Sequence, residues 1–400
     1  MNKDTNAVER LTRLEQYLRE DPNNLTLLED AFQTACAAGE WNRARFHLRH
    51  ASALGVSGPA VMFRECQLDL ATHQWADAQQ RLQTLRGMEG LSPEALDAVD
   101  HDLAYTAFRR GDLSRARDLL ATRMTGASAS SPAAFQVLWL RVLHHAGDLD
   151  SAVAWARERA AAQALAPEAA GVASLAALDQ GDLAVAKPWA MAALQANRSQ
   201  MEPLVTLGTL ALAEQDPSRA EALLRDALSV HGEDGRAWSA LGFVHLLTQR
   251  LDDALFDFHR AVQFMPGHVG TWNGLGWTNI VRRDMVAAQQ AFERAIALDR
   301  NFGESHGGLA VAYAFQGRRD EAEQEIARAD GLDKANLASH YARAVLNGDV
   351  RDVETMQRLA ARLLARRQGP TGEPMADWIQ AATTSVIAGS AGESTIGSDQ

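Results

Sequence analysis

Apolar residues recur three and four positions apart through most of the chain, the spacing that puts them on one stripe of a helix. In the stretch WSALGFVHLLTQRLDDALFDFHRAVQFMP, Trp238 to Pro266, two such stripes are separated by a short polar turn. The pattern predicts an antiparallel pair of amphipathic helices. One pair cannot hide its own apolar face, so neighbouring pairs must stack to bury it.

The stretch is written again 34 residues later as WNGLGWTNIVRRDMVAAQQAFERAIALDR. Trp238, Leu241, Gly242, His245, Ala254, Phe258 and Ala261 become Trp272, Leu275, Gly276, Asn279, Ala288, Phe292 and Ala295. One period further on, the same columns hold His306, Leu309, Ala310, Tyr313, Ala322, Ile326 and Ala329. Leu204, Leu207, Gly208, Ala220 and Leu224 hold them one period earlier. The alanine that opens the second helix recurs at Ala44, Ala78, Ala116, Ala152, Ala186, Ala220, Ala254, Ala288 and Ala322. Its spacings are 34, 38 and 36, then 34 throughout. The two wider gaps predict loop insertions within RGMEGLSPEAL and MTGASASSPAAF, where Ser92-Pro93 and Ser131-Pro132 read as helix starts. Gly39, Gly111, Gly147, Gly181 and Gly317 sit where a left-handed residue would end the first helix.

The columns W-x2-L-G-x2-Y, then A-x3-F, then P resemble the tetratricopeptide repeat. The expected fold is therefore all-α: a right-handed superhelical solenoid of about nine helix-turn-helix repeats, with half-repeat or capping helices at both ends. Residues 1–24 are expected to hold a half-repeat helix carrying Leu11, Leu14 and Leu18, and 25–334 the array. Residues 335–368 read as a worn capping repeat. Residues 369–400 read as a mobile tail, with an apolar segment at 375–388 that either caps the solenoid or docks in its groove.

The resemblance implies that the first helix of each pair lines a concave binding face. Positions two before and one, five and eight after the Trp238 column would face it. They include Arg236, Ser239, Phe243, Asn273, Trp277 and Val311. Asn273 matches a position where the family often holds an asparagine that bonds a bound peptide's backbone. Phe243 and Trp277 either meet a partner or pack between adjacent first helices. Gly270, Gly274, Gly307 and Gly308 signal close approach, by a ligand or by another helix. Nearer the N-terminus the same columns yield a polar groove of mixed sign, with Arg64, His101, Asp102, Tyr105 and Arg141.

Composition narrows the partner. The formal net charge is -12, which disfavours nucleic acid and anionic membranes. Only Lys3, Lys187 and Lys334 are lysines; none follows a phosphate-binding loop, and none stands in the columns of the family's carboxylate clamp. Cys36 and Cys66 lack metal or redox spacing and read as small buried thiols of a reducing compartment. No apolar run is long enough to span a bilayer, and the first residues lack a signal-peptide core. His47 and His50 could share a helix face, but no third metal ligand converges with them.

The expectation is a cytoplasmic, non-catalytic scaffold without cofactor or metal that binds a protein or peptide segment. Self-association through exposed terminal repeats is a further possibility. The alternative is an accessory module, regulated by its own tail, that positions substrate for a separate enzyme or secretion machine.

Overall fold

The computed structural model describes residues 5–124, 131–334 and 336–349. Among these residues the ordered elements are all helices, twenty in number. They form helix pairs repeated along the chain, the all-α solenoid class. The second half of the expected capping repeat, the tail and its 375–388 segment lie outside the described residues, as does most of the loop at 125–130. The chain divides into two compact units, Met1–Ala176 and Ala177–Gln400.

The first unit opens with the lone helix α1 (Thr5–Glu20), followed by the pair α2 (Leu25–Ala37) and α3 (Trp41–Ala53). The next pairs are α4 (Pro59–Ala71) with α5 (Trp75–Arg86), and α6 (Pro93–Arg109) with α7 (Leu113–Met124). Then come α8 (Ala133–His145) and α9 (Leu149–Ala161), and the unit ends within α10 (Pro167–Gln180). Leu11, Leu14 and Leu18 of α1 join Leu28, Ala31 and Phe32 of α2 in one buried cluster, so α1 covers the apolar face that the first pair leaves open.

Turn chemistry follows the glycines. Gly39, Gly111 and Gly147 have φ of 69°, 79° and 72°. The amide of the next residue then reaches back into the helix, as when Glu40 N–H donates to the Ala35 carbonyl at 2.9 Å. Ser92 caps α6 by accepting from Ala95 N–H at 3.2 Å. The second proline-marked start differs by a residue from expectation. Pro132 itself is the N-cap of α8, and the Ser131 carbonyl is taken by Gln136 Nε2 at 2.9 Å.

The second unit continues with α11 (Leu183–Ala196), then the pairs α12 (Met201–Ala213) and α13 (Pro217–Val230), α14 (Gly235–Leu247) and α15 (Leu251–Phe264). They are followed by α16 (Val269–Val281) with α17 (Met285–Leu298), α18 (Gly303–Phe315) with α19 (Arg319–Leu332), and α20 (Leu337–Leu346). Its packing rule is legible at single residues. Phe258 of α15 and Phe292 of α17 are fully buried. A Cβ on Gly242 of α14 would stand 2.8 Å from the Phe258 ring, and one on Gly274 of α16 only 2.5 Å from it. Phe292 is enclosed in the same way by Gly276 and Gly308. Where the column holds the smaller Ile326, Ala310 and Ala342 pack in the same cluster instead. Ring volume in the second helix thus sets side-chain volume on two successive first helices.

The tryptophan column has a polar duty as well. Trp238 Nε1 donates to the Gly232 carbonyl and Trp272 Nε1 to the Pro266 carbonyl, each at 2.9 Å. His306, one period on, places Nε2 3.0 Å from the Arg300 carbonyl. Its other nitrogen lies 2.6 Å from Glu325 Oε2 of α19. A histidine thus meets the same carbonyl and recruits a buried carboxylate that tryptophan does not need.

Candidate functional site

The first helices α12, α14, α16 and α18 lie side by side and carry the columns predicted to face a partner. Arg236 stands there in a two-point pair with Asp179 at the end of α10, both contacts at 2.7 Å. The pair reaches past α12, so position -2 of one helix and position +9 of another belong to one face. Ser239 accepts from Thr271 Oγ1 at 2.9 Å, and Thr271 Oγ1 lies 2.8 Å from His268 Nδ1. His268 also caps α16, its Nδ1 accepting from Thr271 N–H. Burial, with Arg236 beside it, keeps the His268 pKa below the usual histidine range.

Asn273 is the unusual member of this face. It is 5% exposed, yet neither its amide nitrogen nor its amide oxygen has a partner among the described residues. The other buried asparagines are satisfied: Asn279 Nδ2 donates to the Leu275 carbonyl, and Asn336 Oδ1 accepts from Ser339 N–H. A buried polar group without a partner costs about 1–3 kcal/mol. Asn273 holds both a donor and an acceptor in that condition.

The aromatic residues pack within their own repeat, and Phe243 also lies against Gly274 of the next first helix. Phe243 meets Phe258 edge-on at 5.0 Å, and Trp277 meets Phe292 edge-on at 5.7 Å. Each therefore packs on the second helix of its own pair and remains half-buried. Two expected groove residues are corrected. Gly274 is small because Phe258 and Phe243 fill the space beside it, which accounts for it without a ligand. Val311 is fully buried in the cluster around Phe292, because the first helix that carries it is covered on that side. Gly307 and Gly308 likewise give way to Asn336, Ala338 and Phe292.

Sequence reading missed a further column on this face. Leu247, Val281 and Phe315, the last residues of α14, α16 and α18, are 44%, 38% and 40% exposed. Their 34-residue spacing was available as a signal, but only the Arg236–Asp179 pair reveals that position +9 shares the face.

In the first unit Arg64 Nη1 donates to Glu29 at 2.5 Å, and its guanidinium lies over the Phe32 ring. His101 Nδ1 is 3.1 Å from the Asp102 carboxylate, and its ring stacks on Tyr105 and meets the edge of Phe135. Tyr105 accepts from Arg109 Nη1 at 2.9 Å and faces Trp75. Arg141 lies half-buried on α8. The expected polar groove is thus joined by Trp75, Arg109 and Phe135.

Among the described residues no group of three or more His, Cys, Asp or Glu side chains is placed to hold a metal ion. His47 Nε2 is 3.1 Å from Glu15, a bond between α3 and α1 rather than a ligand pair with His50. Burial pushes the Cys66 thiol up to about 12, and the Cys36 thiol is also raised. Iodoacetamide at about pH 8 should leave Cys66 unlabelled until the protein is denatured. Alkylation of the native protein at the rate of an open thiol would contradict that burial. No helix among the described residues is long and apolar enough to cross a membrane.

Comparison with known proteins agrees with the architecture. A family profile described as tetratricopeptide repeat matches residues 205–267. Cellulose synthase operon protein C of Xanthomonas axonopodis pv. citri (strain 306) is 30% identical over 193 residues, 46% of this chain and 12% of that protein. The chloroplastic tetratricopeptide repeat domain-containing protein PYG7 of Arabidopsis thaliana is 29% identical over 102 residues, 24% of this chain and 34% of that protein. The matched spans are thus minor parts of both relatives. Among solved structures, a monomeric mutant of IFIT1 with m7Gppp-AAAA superposes with a TM-score of 0.52 at 12% identity, covering 96% of each chain. That likeness concerns the helical fold alone. The repeated columns and the paired helices that bury them are similar to the tetratricopeptide repeat, and the family profile matches that repeat at residues 205–267.

Proposed function

We propose that the second unit is a non-catalytic scaffold whose first-helix face receives a segment of another protein, centred on Asn273. The observation that carries this reading is the buried, unpartnered amide of Asn273. A partner that supplies one acceptor and one donor there recovers the cost the unbound protein bears. The half-buried faces of Phe243 and Trp277 supply aromatic anchors alongside. Arg236 and Ser239 act as polar contacts at one end of the face. Arg64, His101, Asp102, Tyr105 and Arg141 form a second polar surface on the first unit. The reading places the chain in the cytoplasm, where two thiols without disulfide or metal spacing stay reduced.

Peptides selected on the native protein from a displayed random library test the reading. Asn273→Ala should weaken them about tenfold or more, and Trp277→Ala about thirtyfold, while the native helix content persists. Undiminished binding to both variants would dismiss the groove.

The local likeness to cellulose synthase operon protein C favours a second reading, an accessory module that positions substrate for a separate enzyme. Co-purification of a synthase with the tagged chain would support it. Its absence from the native assembly would count against it.

A further inference from the structure

The second unit bears a row of left-handed turns whose choice of residue the fold does not explain. Each first helix ends with a residue in the left-handed region. Gly39, Gly111, Gly147, Gly181, Gly317 and Gly348 occupy that position in six of the described turns, and His73, which stacks on Trp75, in another. Three consecutive turns at a 34-residue spacing hold larger residues instead: Gln215, Gln249 and Arg283, with φ of 62°, 61° and 63°. An L-residue there pushes its Cβ toward the following carbonyl, a cost glycine avoids.

The back-reaching amides of Asp216, Arg250 and Asp284 stabilise the turn itself, but glycine would allow the same bonds at lower cost. A Cβ added to Gly111, Gly147, Gly181 or Gly317 would have no atom within 4 Å, and in the same position Gln249 and Arg283 are exposed and Gln215 half-buried. The side chains of Gln215, Gln249 and Arg283 have no hydrogen-bond or ion-pair partner among the described residues. Neighbouring arginines differ: Arg250 is paired with Glu221 and Asp253, Arg282 with Asp252, and Arg318 with Glu321. Arg283 is thus a cation held in a strained turn and left for something else.

The exposed apolar column runs beside these turns. Leu247 precedes Gln249 by two residues, Val281 precedes Arg283 by two, and Phe315 precedes Gly317 by two. The two rows together form a ridge, apolar on one side and carrying amide and guanidinium groups on the other.

We propose that this ridge docks an amphipathic helix of a partner protein whose polar edge is acidic. Repeat spacing selects the helix. Successive first helices stand about 10 Å apart, which an α-helix covers in about seven residues, two turns that return the same face. An extended segment covers that distance in about three residues and presents alternate faces at successive steps. Apolar side chains every seventh position therefore meet Leu247, Val281 and Phe315 in turn. Charge selects the edge: the unpaired guanidinium of Arg283 takes a carboxylate in two-point geometry, and Gln215 and Gln249 bond polar groups of either kind. The ridge goes beyond the Asn273 groove and rests on different residues.

Fluorescence anisotropy with a synthetic helix about three heptads long tests it. The probe carries leucine at every seventh position and glutamate along one edge; a second version carries lysine in place of glutamate, and a third has a central proline. The glutamate probe should bind at least about fivefold tighter than the lysine one, and the proline version should bind no better than the lysine one. Arg283→Gly should abolish the charge preference and raise the melting temperature by about 2–4 °C. That combination, binding selectivity lost as stability rises, is one that a structural role for Arg283 would not produce. Leu247→Ser with Phe315→Ser should weaken the glutamate probe about tenfold. Equal binding of the two charged probes, a preference that survives Arg283→Gly, or full affinity for the proline version would overturn the proposal. Asn273→Ala separates the two surfaces. If library peptides lose affinity there while the glutamate probe shows no charge preference, the groove stands and the ridge falls; the reverse result removes the groove and keeps the ridge.

Discussion

Phe292→Ala is expected to destabilise the second unit by about 3–5 kcal/mol, the usual cost of deleting a fully buried aromatic ring. Phe292 is 0% exposed and touches the backbone of two different first helices through Gly276 and Gly308. The void left by alanine would be lined by helix backbone, which cannot collapse into it without moving α16 against α18. The glycines make the sharper test. Gly308→Ala forces a methyl group against the Phe292 ring and should cost about 1–3 kcal/mol. Combined with Phe292→Leu it should cost less than the sum of the two single changes, because the smaller side chain makes room for the methyl. Denaturant unfolding of the four proteins measures this coupling. Strict additivity would mean that the glycine serves something other than the ring.

His245→Leu is the second large effect, again about 3–5 kcal/mol. His245 and Asp257 are both nearly inaccessible, and His245 Nδ1 lies 2.5 Å from Asp257 Oδ2. Burial raises the Asp257 pKa above its ordinary value of 3.8, and the bond to His245 opposes that rise. Removing the histidine leaves a buried carboxylate with its largest opposing influence gone. The sign of the pH dependence follows. A group whose folded pKa is raised binds its proton more tightly when folded. Its contribution to stability is complete below about 3.8 and is lost as pH rises through the folded value. The deficit of His245→Leu relative to the native protein should therefore be largest near neutral pH and shrink on acidification. Chemical denaturation at a series of pH values measures it, and a deficit independent of pH would show that Asp257 is not the group left exposed to the change. Glu221 faces the other ring nitrogen at 3.4 Å; burial works against its ionisation, but Arg225, His245 and Arg250 together lower its pKa, and the two arginines remain when the histidine is removed.

The repeat was legible because its signals are local. A 3.6-residue period, a left-handed turn and an alanine that opens each second helix are properties of short stretches, and Gly39, Gly111, Gly147, Gly181 and Gly317 adopt positive φ as the pattern required. The candidate face was less legible. Asn273 and Ser239 could be placed on one face by counting, but counting also placed Val311 there, which the structure buries among Phe292 and Leu309. Glycine was ambiguous for a physical reason: an absent side chain records that space is needed without saying what fills it. At Gly274 the answer is Phe258, sixteen residues earlier on a different helix.

By itself the sequence determined the helix pairs, their period and the class of the fold, since each follows from residue spacings within one repeat. Tertiary structure decided which groups go without partners. The orphaned amide of Asn273, the unpaired guanidinium of Arg283 and the carboxylate recruited by His306 depend on what neighbouring helices bring within about 3 Å, the reach of a hydrogen bond. A repeat sets the position of each column, but whether a polar atom there is satisfied is settled between repeats, where substitutions on separate helices meet.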